Sequence, residues 1–450
     1  MKKRIATLAI VLLLAAVVIG AFLVFQQQRP ATTTLPDVSV SYPTTAPTTT
    51  EPPTTTEPTT TAPTTTTEPP VTEEPVIDLD NLTLIDLLPL SLMGGDWDVK
   101  HCQGIAVDEQ NSVIYYSYTS ILVKCDMEGH VLGTVSGFEG HLGDLALGDD
   151  GYLYCSYYPT GRAGFYIVMF DTGRIKKTDL SWQDTRVARS VYLKAVDTDY
   201  RYDVNGNGRF EVPADSADHR FGCTGIDALA FGPSFKKKGK GKKLLTVGYI
   251  IAGNEKRNDN DYQVLLQYDV DGWWNTYGKP TPGQTGAAHK SGPEKGSGKF
   301  FLYTGNTLYG VQTMTYFDEL RIWVLSTYKM VKPSFTPFHV FAVDAEVKPR
   351  RMQLKGQPKG VEGNVLSFYQ AGEYDRAHDI YGWRATFGTK GFDYAGSGLF
   401  YIIYPYKTWF GTQTAVAYLH IWDSAADGPF RLAADVGTDY IVGKIKRSKS

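Results

Sequence analysis

What the 450-residue chain lacks narrows its function before any motif is read. It has no basic excess: 45 Lys and Arg stand against 48 Asp and Glu, a formal net charge of −3 at pH 7. A nucleic-acid partner needs a clear positive face to neutralise phosphates, so that class is set aside. With 4 cysteines the chain is too poor in sulfur for a disulfide scaffold of this size. No nucleophile elbow, HExxH helix, P-loop or Rossmann glycine motif occurs, which removes the common catalytic signatures. Beyond the N-terminal apolar run no stretch keeps a 3.6-residue apolar period, so long amphipathic helices are not the framework.

The N-terminus is where long hydrophobicity does occur. Met1-Lys2-Lys3-Arg4 precedes an uncharged apolar run, Ile5 to Phe25. At 1.5 Å rise per residue such a run reaches roughly 30 Å, the thickness of a hydrocarbon core, whereas a signal-peptide apolar region is about 7–15 residues. There is no lipobox-like Cys, and the nearest small-residue cleavage pattern, Gly20-Ala21-Phe22, lies inside the run. The expectation is an uncleaved single-pass anchor over residues 1–29, with a long cleaved signal peptide as the alternative. The three basic residues then stay cytoplasmic and the rest of the chain faces outward, on the outer side of a cell membrane.

Residues 30–75 are almost wholly Thr, Pro, Glu and Ala, as in Thr48-Thr49-Thr50-Glu51-Pro52-Pro53. This composition buries too little apolar surface to offset the entropy of ordering, so a disordered Thr/Pro stalk is expected. Proline keeps the backbone extended, and at ~3 Å per residue the stalk can hold a domain ~100 Å from a membrane. Dense Thr beside Pro also fits an O-glycosylated stalk. The globular region is expected at 76–436, followed by a basic flexible tail at 437–450.

Within the globular region, a pair of marks recurs in alternation, five times each. The first is a Gly opening a short apolar strand: Gln103-Gly104-Ile105, Leu142-Gly143-Asp144, Thr224-Gly225-Ile226, Tyr309-Gly310-Val311 and Lys390-Gly391-Phe392. A second, alternating strand follows, as in Val113–Tyr118, Tyr152–Tyr157 and Leu320–Leu325. The other mark is a third strand ending in Asp, at Asp126, Asp171, Asp269, Asp344 and Asp423, usually with a Gly soon after. Asp favours its own backbone turn and Gly tolerates positive φ, so each instance reads as a hairpin into a fourth, outer strand. Four strands per unit and five units make an all-β, five-bladed β-propeller, since one blade alone cannot cover both faces of its sheet. A sixth blade has room in the long polar segment Arg174–Arg220.

The stretch QGIAVD…IYYSYTSILVKCDMEGHVLG, from Gln103 onward, resembles the NHL and gluconolactonase-type propeller repeat; the other units match it in outline. That resemblance implies a radial fold and selects no activity, because propellers host hydrolases, lyases, lectins and scaffolds alike.

If inner strands line a central channel, the residues flanking the five glycines meet at one mouth. These are His101, Cys102, Gln103, His141, Asp144, Cys223, Thr224, Asp227, Gln312 and Asp393. His101, His141, Asp144 and Asp227 are the candidate acid–base or metal-holding set, with Gln103, Cys223, Gln312 and Asp393 as binding groups beside them. The plain reading of the same residues is a hydrated polar channel.

A separate candidate is the loop Asp203-Val204-Asn205-Gly206-Asn207-Gly208-Arg209-Phe210-Glu211, whose first half resembles an EF-hand or dockerin calcium loop. Oxygen ligands at Asp203, Asn205 and Asn207 with Gly208 in sixth place suit a hard cation. The pattern then departs: Glu211 falls ninth, Ala214 twelfth and Asp215 thirteenth, so calcium competes with an ordinary Asx-rich turn.

Cys102 and Cys223 occupy matched positions before their glycines and are the pair able to bridge the channel mouth; Cys125 and Cys155 fall within strands. The lysine-rich run Phe235–Lys243 and the tail Lys444–Lys449 suit anionic polymer or headgroups, or plain solvated turns. Trp273, Trp274, Trp383 and Trp409 are candidates for sugar stacking or for core packing. Two functions follow from these readings. One is a cell-surface propeller that binds glycan, peptide or another envelope component; the other is a metal-dependent extracellular hydrolase of lactonase or phosphoesterase type at the channel mouth.

Overall fold

The computed structural model describes residues 77–78, 88–161, 164–211, 218–283, 288–305, 309–328, 332–385, 390–424, 428–436 and 444–445. The expected anchor, the stalk, Ala214, Asp215 and most of the expected tail lie outside these residues. Among the described residues no helix is long and apolar enough to cross a membrane.

Five sheets radiate from one axis, and each of the five repeat glycines stands in or immediately before an inner strand. Blade 1 runs Cys102–Asp108, Val113–Tyr118, Ile121–Asp126 and Val131–Ser136, each strand antiparallel to the last. Blade 2 has Gly140–Leu147, Tyr152–Pro159, Tyr166–Asp171 and Ala188–Tyr192. Blade 3 has Cys223–Pro233, Lys243–Ile251, Tyr262–Tyr268 and Gly298–Tyr303, and is widened by a hairpin, Arg350–Gln353 with Glu362–Val365. Blade 4 has Val311–Phe317, Ile322–Thr327 and Val340–Asp344. Blade 5 has Phe392–Tyr394, Leu399–Lys407 and Gln413–Trp422.

The third-strand aspartates sit where the sequence places them. Asp126, Asp171 and Asp344 end their strands, and Asp269 and Asp423 follow theirs directly. Asp126 shows why: its Oδ1 accepts from the amides of Glu128 (3.1 Å) and His130 (2.8 Å), closing the turn.

Outer strands follow the repeat less closely. Blade 2 reaches its fourth strand only after Leu180–Ser181 has paired, in parallel, with the outer strand of blade 1. Blade 4 has isolated bridges, Val340 to Trp383 and Val343 to Phe368, in place of a fourth strand. The described residues of Arg174–Arg220 hold no sixth blade; they form those two strands, a helix at Lys194–Tyr200 and the Asx-rich loop. Of the expected tail, Lys444–Ile445 pairs with Ile77–Asp78.

The ring is closed by the segment that leads into blade 1. Ser91–Met93 adds to blade 5 beside Gln413–Trp422, so N- and C-terminal chain share one sheet. Leu92 is buried between blades 5 and 1, and the hydroxyls of Tyr116 and Tyr401 donate to the carbonyls of Leu92 (2.9 Å) and Pro89 (2.7 Å). A strand that joins the last blade removes the open edge that would otherwise invite foreign pairing.

There are five apolar cores rather than one, one at each blade junction. Polar stitches cross the same junctions near the axis. Ser117 Oγ in the second strand of blade 1 donates to the Gly143 carbonyl in blade 2 (2.5 Å), and Ser156 Oγ in blade 2 donates to the Asp227 carbonyl in blade 3 (2.6 Å). Each bond is buried, so losing one partner strands the other without water.

Candidate functional site

The inner strands enclose three carboxyl groups at the axis: Asp144 of blade 2, Asp227 of blade 3 and Asp393 of blade 5. Their main work is visible in their partners. Asp144 Oδ2 accepts from the Leu229 amide of the next blade (3.1 Å), and Asp393 Oδ2 accepts from the Val107 amide of blade 1 (2.9 Å) while its Oδ1 takes the Thr315 hydroxyl (3.0 Å). Register shifts in the inner strands, at Leu142/Leu145 and Ile226/Leu229, fall beside the Asp144 and Leu229 amides that Asp227 and Asp144 use.

Burial dominates their ionisation. It pushes the Asp144 carboxyl well above the usual range, with the Asp227 charge adding to the effect. It raises Asp227 to about 7, against the pull of Lys390 and the Asp144 amide, and Asp393 to about 6. Asp144 Oδ1 and Asp227 Oδ1 are buried without a hydrogen-bond partner, a costly arrangement for two ionised groups and a tolerable one when a proton is held there.

The sequence-expected set divides on inspection. His101 accepts the Gln103 side-chain amide on Nε2 (2.7 Å), and partial burial with Lys390 and Lys100 nearby keeps its imidazole below the ordinary value. His141 stacks on Tyr158 of its own blade at 4.9 Å between ring centroids. Gln312 donates to the Tyr309 carbonyl (2.8 Å). Among the described residues, three metal-ligand atoms come within 4.8 Å of one another only at Asp126, Glu128 and His130, on a blade 1 turn. His101, His141, Asp144 and Asp227 are therefore not gathered into a ligand-sized set.

Cys223 is a correction of kind. It does not face the channel mouth but is fully buried in the core between blades 2 and 3, as Cys102 is in the core between blades 5 and 1. The two thiols lie in different junction cores, so the pair is kept apart and all four cysteines are free. Burial raises every one of these thiols, Cys125 to about 12, which leaves them unreactive.

The open cavity lies at the opposite mouth, where the inner strands end. It has a volume of about 570 Å³ and is lined by all five blades. Five acidic residues line it, Asp108, Glu109, Asp149, Asp318 and Asp393, against a single basic one, Lys243, which lies 3.1 Å from Asp149 Oδ1. Tyr316 and Tyr394 supply ring surface on one side. Crowding shows in the acids: burial and then Glu319 raise Glu109, while burial and Asp149 raise Asp318 against the opposing Lys243.

A third repeat mark underlies this mouth, and sequence reasoning passed over it. Three of the turns that follow inner strands carry an acidic pair: Asp108-Glu109, Asp149-Asp150 and Asp318-Glu319. One member of each pair is engaged within the fold, locally in the first two and across to blade 5 in the third. Asp108 accepts from the Asn111 amide (3.0 Å), Asp150 from the Tyr154 hydroxyl (2.6 Å), and Glu319 from the Ser397 amide (3.1 Å). The other member, Glu109, Asp149 or Asp318, lines the cavity, with Asp149 paired to Lys243. Blade 3 has the lysine-rich run Phe235–Lys243 at the same place, anchored by buried Phe235 and tied down by Lys242 to Asp269 (2.6 Å).

The Asx-rich loop is folded on itself. Asp203 accepts from the amides of Gly206 (2.7 Å) and Gly208 (2.7 Å), Asn205 from Asn207 (2.9 Å) and Asn207 from Arg209 (2.7 Å), while buried Asp218 takes the amides of Val204 (3.1 Å) and Glu211 (2.8 Å). Of the tryptophans, Trp273 and Trp383 are core residues and Trp274 stacks on Tyr152 at 4.6 Å, whereas Trp409 is 98% exposed.

Fold and site together define the class: a five-bladed β-propeller with a carboxylate-rich mouth. No protein-family model matches the chain, and no curated protein matches its sequence. Solved structures similar to it include the Dos1 propeller, at 11% identity over 74% of this chain and 73% of that one with a TM-score of 0.30. A glucose dehydrogenase is 10% identical over 73% of this chain and 99% of that one, TM-score 0.34. The Neurospora crassa Pan2 WD40 domain is 7% identical over 72% and 77%, TM-score 0.22. Likenesses this distant carry no argument about what the chain binds.

Proposed function

We propose that this chain is a binding module displayed at a cell surface, and that its ligand presents a cationic group to the acidic mouth. The observation that carries the reading is the convergence of five blades on one 570 Å³ cavity with five acidic residues and one lysine. Low-dielectric walls strengthen the attraction between such a cluster and a positive charge, and a cation entering the cavity relieves the mutual repulsion of Glu109, Asp149 and Asp318. Ligands of this chemistry include basic peptides and amino-sugar glycans of an envelope. The apolar run Ile5–Phe25 and the Thr/Pro stalk support display from a membrane, and the stretch after Gln103 supports an NHL-like repeat within the propeller class.

The test is a binding survey with lysine- and arginine-rich peptides and with chitosan oligomers, using the full chain and Glu109→Gln/Asp318→Asn. Retained ligands are expected to bind more weakly as salt rises and at least tenfold more weakly to the double variant, roughly 1.4 kcal/mol or more. Ligands indifferent to both changes would remove this mouth from the function.

Calcium at Asp203–Glu211 belongs to the same proposal, as a brace for the insert between blades 2 and 3 rather than a catalyst. Support comes from the spacing of Asp203, Asn205 and Asn207 with Gly208 in sixth place. Calcium is expected to raise the melting temperature by a few degrees, roughly RT ln(1 + [L]/Kd) in free energy, and Asp203→Ala to abolish the response. A melt identical in calcium and in chelator excludes the brace.

A further inference from the structure

The second and third strands of blade 5, Leu399–Lys407 and Gln413–Trp422, meet in a tip that no other described residue covers. Trp409 is 98% exposed and Phe410 92% exposed. These are the most exposed large apolar side chains among the described residues, and six of the other seven tryptophans are buried or stacked in their blades. The tip is nevertheless held: the Thr408 amide donates to the Thr412 carbonyl (2.8 Å), the Gly411 amide to the Thr408 carbonyl (3.0 Å), and the two threonine hydroxyls bond to each other (2.6 Å). Gly411 has φ +89°, the left-handed value that lets the turn close in this way.

Below the crown the apolar surface continues through Tyr406, 47% exposed, and Tyr418, 37% exposed. Between Leu399 and Trp422 there is no Asp or Glu, and Lys407 is the sole Lys or Arg. The carboxylate that Tyr406 feels is Asp96, on the adjoining segment.

We propose that this hairpin is a membrane-contact finger, its Trp409 and Phe410 entering the interfacial layer of an anionic bilayer with Lys407 at the headgroups. Area decides between partners. Two aromatic side chains offer about 300–500 Å², well short of the roughly 800 Å² per side of a specific protein interface. A fluid bilayer needs no complementary groove and closes around a convex crown. Trp and Tyr favour the membrane interface, and a lysine beside them is attracted by anionic lipid. The proposal does not depend on what fills the acidic mouth.

The fragment 70–450 is the unit to test, because it is compact by itself and contains every blade and the closing strand Ser91–Met93. It is mixed with vesicles of phosphatidylcholine alone or with phosphatidylglycerol, and co-sedimentation is measured. The fragment is expected to sediment with the anionic vesicles, and Trp409→Ala and Phe410→Ala each to cut the bound fraction at least about fivefold. Lys407→Gln is expected to weaken binding to the anionic vesicles alone. Brominated acyl chains are expected to quench a fraction of the tryptophan emission, and Trp409→Phe to abolish that fraction. Because both rings are solvent-exposed, the variants keep the wild-type melting temperature. Failure of the wild-type fragment to sediment overturns the proposal, as does undiminished sedimentation of the alanine variants. Variants that instead dissociate a dimer, or lose retention on a sugar matrix, assign the finger to a protein or glycan contact and overturn it too.

Discussion

Gly104→Ala is expected to destabilise the propeller by about 3 kcal/mol or more, lowering the melting temperature by roughly 5–10 °C. The reason is a contact between blades, not the turn that a glycine in such a pattern suggests. A methyl group there would stand 2.7 Å from Asp144 Cα and 3.0 Å from the Leu145 amide nitrogen, backbone atoms of the next inner strand that cannot swing aside. Gly143 is crowded by side chains instead, where a methyl would run into Asp227 Oδ1 of the next blade and Ser156 Oγ of its own. Gly151, on a surface turn at φ +80° with nothing within 4 Å, is the control for a glycine kept by backbone conformation alone. Calorimetry of Gly104→Ala and Gly143→Ala beside Gly151→Ala separates the two explanations: equal losses in all three would show that junction packing is not what the repeat glycine serves.

Asp227→Asn is expected to raise stability at pH 8 and to change it little near pH 4. In the folded chain Asp227 titrates near 7, against an ordinary aspartate value of 3.8. Between those values the native state binds a proton that the unfolded chain has released, so stability falls as pH rises through the window and levels off above it. A shift of this size corresponds to roughly 2–4 kcal/mol between pH 4 and pH 8 once relaxation of the site is allowed for. Asp393, raised to about 6, acts in the same sense, while His289 and His420, held down to about 4 by burial, act in the opposite sense between pH 4 and 6.5. The difference between variant and wild type isolates Asp227, whose facing charges are Asp144 and Lys390. Asparagine keeps an acceptor for the Asp144 amide and removes the charge. Denaturant melts at pH 5 and pH 8 measure the effect, and equal pH slopes for the two proteins would show that Asp227 is ionised at neutral pH.

Both experiments turn on residues that the sequence marked for another purpose. Asp144 and Asp227 were legible as axial carboxylates because each follows a repeat glycine. Their service as inter-blade acceptors was not legible, since it depends on where bulged amides of a neighbouring strand fall. His141 and Cys223 stood at matched repeat positions as well, yet one stacks on Tyr158 and the other is sealed in a junction core. A repeat position fixes depth along the axis; one residue of register shift decides which way the side chain faces.

The acidic mouth shows the converse. Asp108-Glu109, Asp149-Asp150 and Asp318-Glu319 are as regular as the glycines, but aspartate in a turn has a sufficient local reason to be there. Only the assembled ring brings one member of each pair to a common cavity. Trp409 was one of several tryptophans without distinction in sequence, and it became singular when the others were found packed.

By itself the sequence determined the blade: a glycine where inner strands crowd, short apolar and aromatic runs where a sheet has two covered faces, an aspartate where a hairpin turns. These are requirements met within a few residues of chain, so they leave a local and repeating trace. The tertiary structure decided what the five units do together, from the closing strand at Ser91–Met93 to the shared carboxylate mouth and the uncovered aromatic finger. Those depend on distances between residues far apart in the chain, which are set by packing around an axis and leave no periodic mark of their own.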